Sequence, residues 1–573
     1  MKLNSLAKNP AGIYMNPAFG GIDYSDGAAA EEYIMQSISN ARDISSTSFE
    51  LESLIRDWPS EYHLSASRAN LLRPFNLGKS ARILEFGCGC GAVTRHLGES
   101  GHKVDAIEGS LRRAEITASR CRDLAGVNVI CANYSALEFP EAEYDLALFI
   151  GVLEYAKMFW GGASANTQED ALKAILAAAR KTLKPNGVLI AAIENSLGLK
   201  YWIGCREDHT GLLYESLHGY ANSPSVKTYS RRELRDALAA SGFSCVGFFY
   251  PFPDYKLPST ILNDDFIREH RNADAAVHQT RSRDYVRNYS TDFVEPLVWH
   301  TLQQSGLLGE FANSFLVFAS PQGDLARLYD FDMVAYSPVC RKGGLATETR
   351  KLKESDAVVK RFLLPENMRG LASPILEHRL RDSRWIDGRL LSEMLLKAAC
   401  NRKDLAEFFA LTAKYREFLS GVIRREQTPT ANFGYDCALW NIIVKDSGEW
   451  ESFDLEWGSR IPMTTEKAYF RNLVLWFSRH ATYLAHFSAK HGLHTVGDAL
   501  TAIFSKAGLS LTDETIDDFC RDCDELQFAV ERERTSFKKA LRRRFNPAAT
   551  SMTDRRPTPA RKPALLAAGG GAI

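Results

Sequence analysis

Eleven residues, Arg82-Ile-Leu-Glu-Phe-Gly-Cys-Gly-Cys-Gly-Ala92, constrain the fold more than any other stretch. An apolar run (Ile83, Leu84) carries an acid, Glu85, and breaks into three alternating glycines, Gly87, Gly89 and Gly91, before a helix-like segment from Ala92 to Leu97. Strand, tight glycine turn and helix N-terminus in that order open the nucleotide-binding half of a doubly wound α/β sheet. Glycine is required because the backbone must turn sharply and approach a ligand with no Cβ in the way. A second strand, Val104-Asp-Ala-Ile-Glu108, ends in an acid. A carboxylate at Glu108 can accept hydrogen bonds from both hydroxyls of a ribose.

Glu85 narrows the ligand. A dinucleotide places an anionic pyrophosphate over such a turn, and an acid just before the glycines repels it. S-adenosylmethionine (SAM) has no phosphate and offers an ammonium and a sulfonium, which an acid suits. Gly87, Gly89 and Ala92 also fit Gly-x-Gly-x-x-Ala, so a nucleotide-dependent oxidoreductase stays open as the alternative.

With Glu85-Phe-Gly-Cys-Gly-Cys-Gly91, the Glu108 strand end and Leu183-Lys-Pro-Asn-Gly-Val-Leu-Ile-Ala-Ala-Ile193, the chain resembles class I SAM-dependent methyltransferases over residues 40 to 321. The resemblance implies a Rossmann-like sheet. It also places Asn133 and Tyr134, in the turn after strand Val127–Cys131, at the edge and face of an adenine. Tyr144–Gly151 is a continuous apolar run, as a buried parallel strand should be. It ends at Gly151-Val-Leu-Glu-Tyr155 on the carboxyl edge, where doubly wound folds bind ligands. Gly151 is assigned to the cofactor site, and Glu154 and Tyr155 face the site or its lid. Ahead of the first strand, Tyr62, His63 and Arg68 either line the site or serve ordinary packing. Glu207, Asp208 and His209 stand in a row where this fold inserts acceptor-binding elements. Asp208 and His209 are the candidates for deprotonating a hydroxyl acceptor.

A closer resemblance rests on Tyr62-His-Leu-Ser65, Gly151-Val-Leu-Glu-Tyr155, Glu194-Asn195, Glu207-Asp-His209 and the Phe252–Pro258 stretch. Together they are similar to bacterial methyltransferases associated with surface-polysaccharide synthesis. That implies a sugar or glycan acceptor, and polysaccharide-assembly proteins as partners.

The expected division is a flexible lead-in (1–35), a methyltransferase domain (36–321) with a helical insertion at about 259–310, a second domain (322–545) with a helical C-terminal part, and a disordered tail (546–573). The second domain resembles aminoglycoside-phosphotransferase-like kinases. The likeness rests on Lys360 in the strand Ala357–Leu363, on Trp385–Met394 as hinge and helix, and on the Asp436-x-x-x-x-Asn441 spacing followed by Asp454. It implies an α+β kinase-like fold binding ATP and Mg²⁺. Asp436 would then be the catalytic base, Asn441 and Asp454 the metal ligands, and Lys360 the phosphate contact. The sequence departs from that family in having Gly434 and Tyr435 before Asp436 and no glycine-rich loop before Lys360. Few residues separate Lys360 from Trp385, which leaves Glu377 as the expected partner of the lysine. A non-catalytic scaffold is the rival for this half.

The 573 residues carry 70 basic and 70 acidic side chains, so no global basicity points to nucleic acid. Met1–Lys8 lacks the apolar core of a signal peptide, and no uncharged run approaches the ~18 residues of a membrane span. The 11 cysteines are scattered as reduced thiols would be, so a cytoplasmic location is expected. The basic segment Ser536–Phe545, with Phe537, Leu541 and Phe545 on one face, is either a solvated terminal helix or a peripheral membrane contact.

Overall fold

Strand Arg82–Phe86 forms where expected and sits at the centre of a parallel sheet. The structure, a computed structural model, describes residues 6–22, 24–160, 167–223, 225–284, 293–338, 341–364, 373–401, 403–484, 487 and 491–545. The expected tail at 546–573 lies outside the described residues.

In chain order the strands are β1 (Ala7–Lys8), β2 (Tyr14–Met15), β3 (Arg82–Phe86), β4 (Lys103–Glu108), β5 (Val127–Cys131), β6 (Tyr144–Ile150), β7 (Leu183–Glu194), β8 (Cys245–Phe252), β9 (Thr260–Asn263), β10 (Ser314–Ser320), β11 (Phe331–Tyr336), β12 (Thr347–Leu352) and β13 (Ala357–Phe362). The order β5-β4-β3-β6-β7-β10-β8 places β3 between β4 and β6. β3, β4, β5, β6 and β7 run parallel, and β10 is antiparallel to both β7 and β8. This is the doubly wound order with its reversal between β3 and β6, plus one antiparallel strand inserted before the last. Ile83, Leu84, Ala147, Leu148, Leu189 and Ile190 are wholly buried, which is why these strands read as continuous apolar runs.

Three expectations change. Within the lead-in, β2 pairs parallel with β5 and extends the sheet. The apolar spacing from Ala29 to about Arg56 reads as helix and breaks at Trp58. Trp58–Leu64, which carries Tyr62 and His63, is itself a helix, capped by Asp57 whose side chain accepts from the Ser60 amide. The insertion at 259–310 opens with a strand: β9 pairs antiparallel with β8 on one edge and with β11 on the other. The expected boundary at 321/322 therefore falls inside one sheet, continued by β11, β12 and β13.

The rest of the second half packs around helices Leu391–Ala399, Ala406–Arg425, Thr465–His480, Val496–Lys506 and Asp513–Val530. Cys520 and Cys523 are buried on the last of these, and burial pushes both thiols up to about 12, so they are inert core residues. No helix among the described residues is long and apolar enough to cross a membrane. The C-terminal apolar face expected for membrane contact is spent on the core instead. Phe537 and Phe545 are fully buried, Phe545 against Phe477 and Phe487.

Stopping the chain at residue 321 removes β11 and leaves β9 as a bare apolar edge. Such a fragment is expected to aggregate in sedimentation velocity where the full chain does not. A monodisperse fragment would show that β9 needs no partner.

Candidate active site

All three glycines of the turn after β3 adopt left-handed backbone, φ 69° at Gly87, 56° at Gly89 and 75° at Gly91. Gly87 and Gly91 are also closed to a side chain. A Cβ on Gly87 would meet Val152 Cγ2 at 2.6 Å, and one on Gly91 would meet the Thr117 side chain at 2.9 Å. Gly89 differs: only the His63 ring comes as near as 4.0 Å, so its outer face is open. That is the cradle a ligand would use.

The two acids flank it. Glu108, at the end of β4, accepts from the Gly89 amide (2.8 Å) and the Ser110 amide (2.9 Å), which fixes the carboxylate against the turn. Glu85 is buried and accepts from Thr94 Oγ1 at 2.7 Å. Burial raises its pKa to about 7, so near neutral pH it holds its proton in part, and a cation arriving nearby would favour the carboxylate. His63 stands over Gly89 and bonds Asp26 (2.8 Å), which also pairs with Arg113 (2.7 Å). The lead-in thus helps cover the turn, a role its Gly-rich sequence did not signal.

Asn133 accepts from the Ser135 amide at 3.1 Å and caps the short helix Tyr134–Ala136. The Tyr134 ring is stacked on Trp160 at 5.6 Å and meets Phe86 edge to face. Gly151, left-handed at φ 73°, lies under Tyr255, whose hydroxyl would sit 2.6 Å from an added Cβ.

Beyond Gly151 the carboxyl ends of β6 and β7 meet a buried cluster of charges. His209 Nδ1 bonds Tyr155 Oη (2.9 Å), and its Nε2 faces Glu194 (3.3 Å) and Glu154 (3.9 Å). Lys256 pairs with Glu194 and with Asp208 (2.9 Å), and Lys200 and Tyr201 also bond Asp208. Tyr155 joins Tyr24 of the lead-in at 2.9 Å. Burial disfavours every charge here, and the partners decide the outcome. Glu194 and Glu207 raise His209 to about 10, so it is an imidazolium. Lys200 and Lys256 outweigh burial at Asp208 and hold it at about 2. Glu194 is likewise held well below the carboxylate range by Lys256 and His209. Glu154 is the exception: burial raises it to about 8, and its Oε2 has no hydrogen-bond partner among the described residues.

The second half gathers its own predicted residues. Lys360 pairs with Asp454 and with Glu456 (2.8 Å). Asp436 accepts from the amides of Glu456 (2.9 Å) and Trp457 (3.1 Å), and Asn441 donates to the Asp436 carbonyl. Burial beside Glu456 raises Asp436 to about 8. Asp454 lines a cavity of about 440 Å³ with Arg381, Phe418, Arg425 and Trp450. Glu377 is not the lysine's partner: it bonds Arg379 and Thr430, and Glu456 takes that place from two residues beyond Asp454.

The family model of the methyltransferase domain matches residues 60–247, less than half of the chain. No curated relative matches. Among solved structures, a SAM-dependent methyltransferase of Thermotoga maritima is 18% identical, with 44% of this chain and 87% of that one covered and a TM-score of 0.26. The SAM complex of a Haemonchus contortus phosphoethanolamine N-methyltransferase is 15% identical, with 52% and 58% covered and a TM-score of 0.29. A SAM-dependent methyltransferase of Aquifex aeolicus is 17% identical over 35% of this chain and 90% of that one, with a TM-score of 0.25.

Removing Lys256 leaves Glu194 and Asp208 short of a cation in a dry site, which costs about 3 to 5 kcal/mol. Lys256→Met is therefore expected to lower the midpoint of urea unfolding, and adding Glu194→Gln to restore part of the loss. An additive double variant would show that the pair is not coupled. Residues 60–247 match a methyltransferase domain, laid on a sheet of the doubly wound order.

Proposed function

We propose that the chain is a SAM-dependent methyltransferase that O-methylates a sugar hydroxyl on a glycan acceptor. The observation carrying this reading is the left-handed glycine turn, open at Gly89 and flanked by Glu85 and Glu108. Glu85 suits a ligand that is cationic and lacks phosphate and so disfavours the oxidoreductase alternative, while Glu108 suits the ribose of either ligand. Bound at the turn, SAM supplies an electrophilic methyl group. Glu108 would take the ribose hydroxyls, and Glu85, ionising, would compensate the cationic end.

The acceptor would enter at the carboxyl ends of β6 and β7. Asp208 and His209, the sequence candidates for the base, are held by their partners as carboxylate and imidazolium. They suit orientation of a polar acceptor better than proton removal. Glu154 has a free oxygen and a pKa near the working pH, so it is the group we assign to accept the hydroxyl proton. The glycan identity and polysaccharide-assembly partners rest on the sequence resemblance alone, and a cytoplasmic location on the scattered cysteines.

Calorimetry tests the cofactor. SAM is expected to bind, Glu108→Ala to lose binding, and wild-type affinity to fall as pH drops below about 7, where Glu85 takes up a proton. Binding of NAD(P) in place of SAM would refute the reading. With an acceptor in hand, kcat/KM is expected to rise about tenfold per pH unit towards about 8, because only the carboxylate form of Glu154 accepts a proton. Glu154→Gln should lose that limb and about 10²- to 10⁴-fold in rate. An unchanged profile would remove Glu154 from the role.

For residues 357–460 we infer a phosphotransferase-like site, supported by the meeting of Lys360 and Asp454 at a cavity with Asp436 and Asn441 nearby. Asn441 and Asp454 would hold Mg²⁺, Lys360 would steady ATP phosphates, and Asp436 would take the acceptor proton. ATP-Mg²⁺ binding lost in Asp454→Ala is the expected result. Failure of the wild type to bind ATP-Mg²⁺ would leave this half a scaffold.

A further inference from the structure

A third charged site lies between the halves, apart from the Lys256 cluster and joined to the Lys360 cluster through Arg341 and Glu456. A small cavity of about 50 Å³ opens between residues 47–73 and residues 336–364, lined by Glu52, Arg73, Tyr336, Arg341 and Arg532 among others. Three guanidiniums and one carboxylate face it.

The carboxylate is already engaged: Glu52 accepts from the Ala66 amide (2.8 Å) and from Ser65 Oγ. Burial raises its pKa, which weakens it further as a counter-ion. Arg341 has an acid, Glu456, at 2.6 Å. Arg532 bonds only the Arg341 carbonyl (3.1 Å) and lies over the Phe49 ring.

Arg73 is the telling group. Its Nη1 donates to Asn70 Oδ1 at 2.5 Å and its guanidinium lies 6.0 Å from the Tyr336 ring centre, but among the described residues its Nη2 has no hydrogen-bond partner and no carboxylate pairs with it. The nearest acids are spent elsewhere, Glu348 on Arg350 and Glu99 on Arg95. A guanidinium keeps its proton at any ordinary pH, so burying one without an anion is costly. Burial does press on this one, pulling its pKa below the arginine range. Such a cost is removed when an anion binds.

We propose that this cavity is an oxyanion site that takes a phosphate group, with Arg73 as its anchor and Arg532 and Arg341 beside it. The fork of a guanidinium matches two phosphate oxygens, and the cavity has room for a group of a few non-hydrogen atoms. Free phosphate and the phosphomonoester end of a larger molecule share that chemistry. Binding has a structural reach in both directions. A phosphate competes with Glu456 for Arg341, and Glu456 also holds Lys360. On the other side Arg73 follows the turn Ala66–Leu71, whose Arg68 donates to the Lys256 carbonyl at 2.7 Å.

Calorimetry on the full chain with inorganic phosphate, glycerol 3-phosphate and chloride tests it, in wild type and in Arg73→Met. Wild type is expected to bind phosphate and not chloride, and Arg73→Met to weaken phosphate binding at least about tenfold. Glycerol 3-phosphate binding as well as phosphate points to a monoester end, and phosphate alone to the free ion. In phosphate-free buffer Arg73→Met is expected to melt no lower than wild type, because it removes an uncompensated charge. No uptake of phosphate by wild type up to about 20 mM would overturn the proposal. So would equal binding by the variant, or a variant that melts several degrees lower without phosphate or fails to fold, since Arg73 would then already be satisfied.

Discussion

Four residues, Thr260–Asn263, hold the two halves of this chain in one sheet. All four are buried, and β9 spends both of its edges, one on β8 and one on β11. A strand paired on both sides has no free backbone groups to offer water, so neither half can move away without breaking a ladder. The Gly89 turn and the Lys360 cluster are therefore fixed relative to each other by hydrogen bonds, not tethered by a linker. Contacts above the sheet reinforce this. Asn272 bonds the Ile386 carbonyl and accepts from Trp385, and His278 bonds Ser392 at 2.8 Å.

The site near β6 and β7 follows from how charge is compensated in a dry interior. Glu194 is wholly buried and survives as an anion only because Lys256 and His209 face it. That demand fixes the Asp254–Lys256 segment against the sheet end and places Tyr255 over Gly151. Glu154, for which burial outweighs the more distant His209, keeps its proton to about pH 8 instead. Two carboxylates in one cluster are thus pushed apart in pKa, the usual way one site holds an acid and an ion at the same pH.

The turn was legible in the sequence because its chemistry is local: alternating glycines after an apolar strand admit few backbones. Glu108 was legible for the same reason, as the acid closing the next strand. What escaped were relations between distant segments. Nothing in Thr260-Ile-Leu-Asn263 announces that it bridges two sheets, and a short apolar run inside helical surroundings reads as helix. Tyr134 is named by its position in the turn, and nothing there announces Trp160, 26 residues on, which stacks on it. Glu377 was assigned to Lys360 from spacing alone, whereas Glu456 reaches the lysine through a turn in which Asp454 is left-handed, at φ 56°. Asp208 and His209 stand together in the sequence, yet their protonation depends on Lys200, Lys256 and Glu194, which no local pattern ties to them.

The three charged clusters differ in one respect that bears on what each can bind. At Lys360 the cation is matched by Asp454 and Glu456, so a ligand rich in negative charge must displace an acid or bring its own cation. That is the situation a metal-chelated phosphate resolves, since the metal takes over the acids and the phosphates take over the lysine. At Lys256 the charges close on themselves, and a neutral, hydroxyl-bearing acceptor disturbs them least. At Arg73 the balance is left open, with three guanidiniums to one carboxylate in the lining and, among the described residues, no acid paired with Arg73 itself. Compensation, more than the number of charges, thus separates a site that suits neutral polar groups from one that suits an ion.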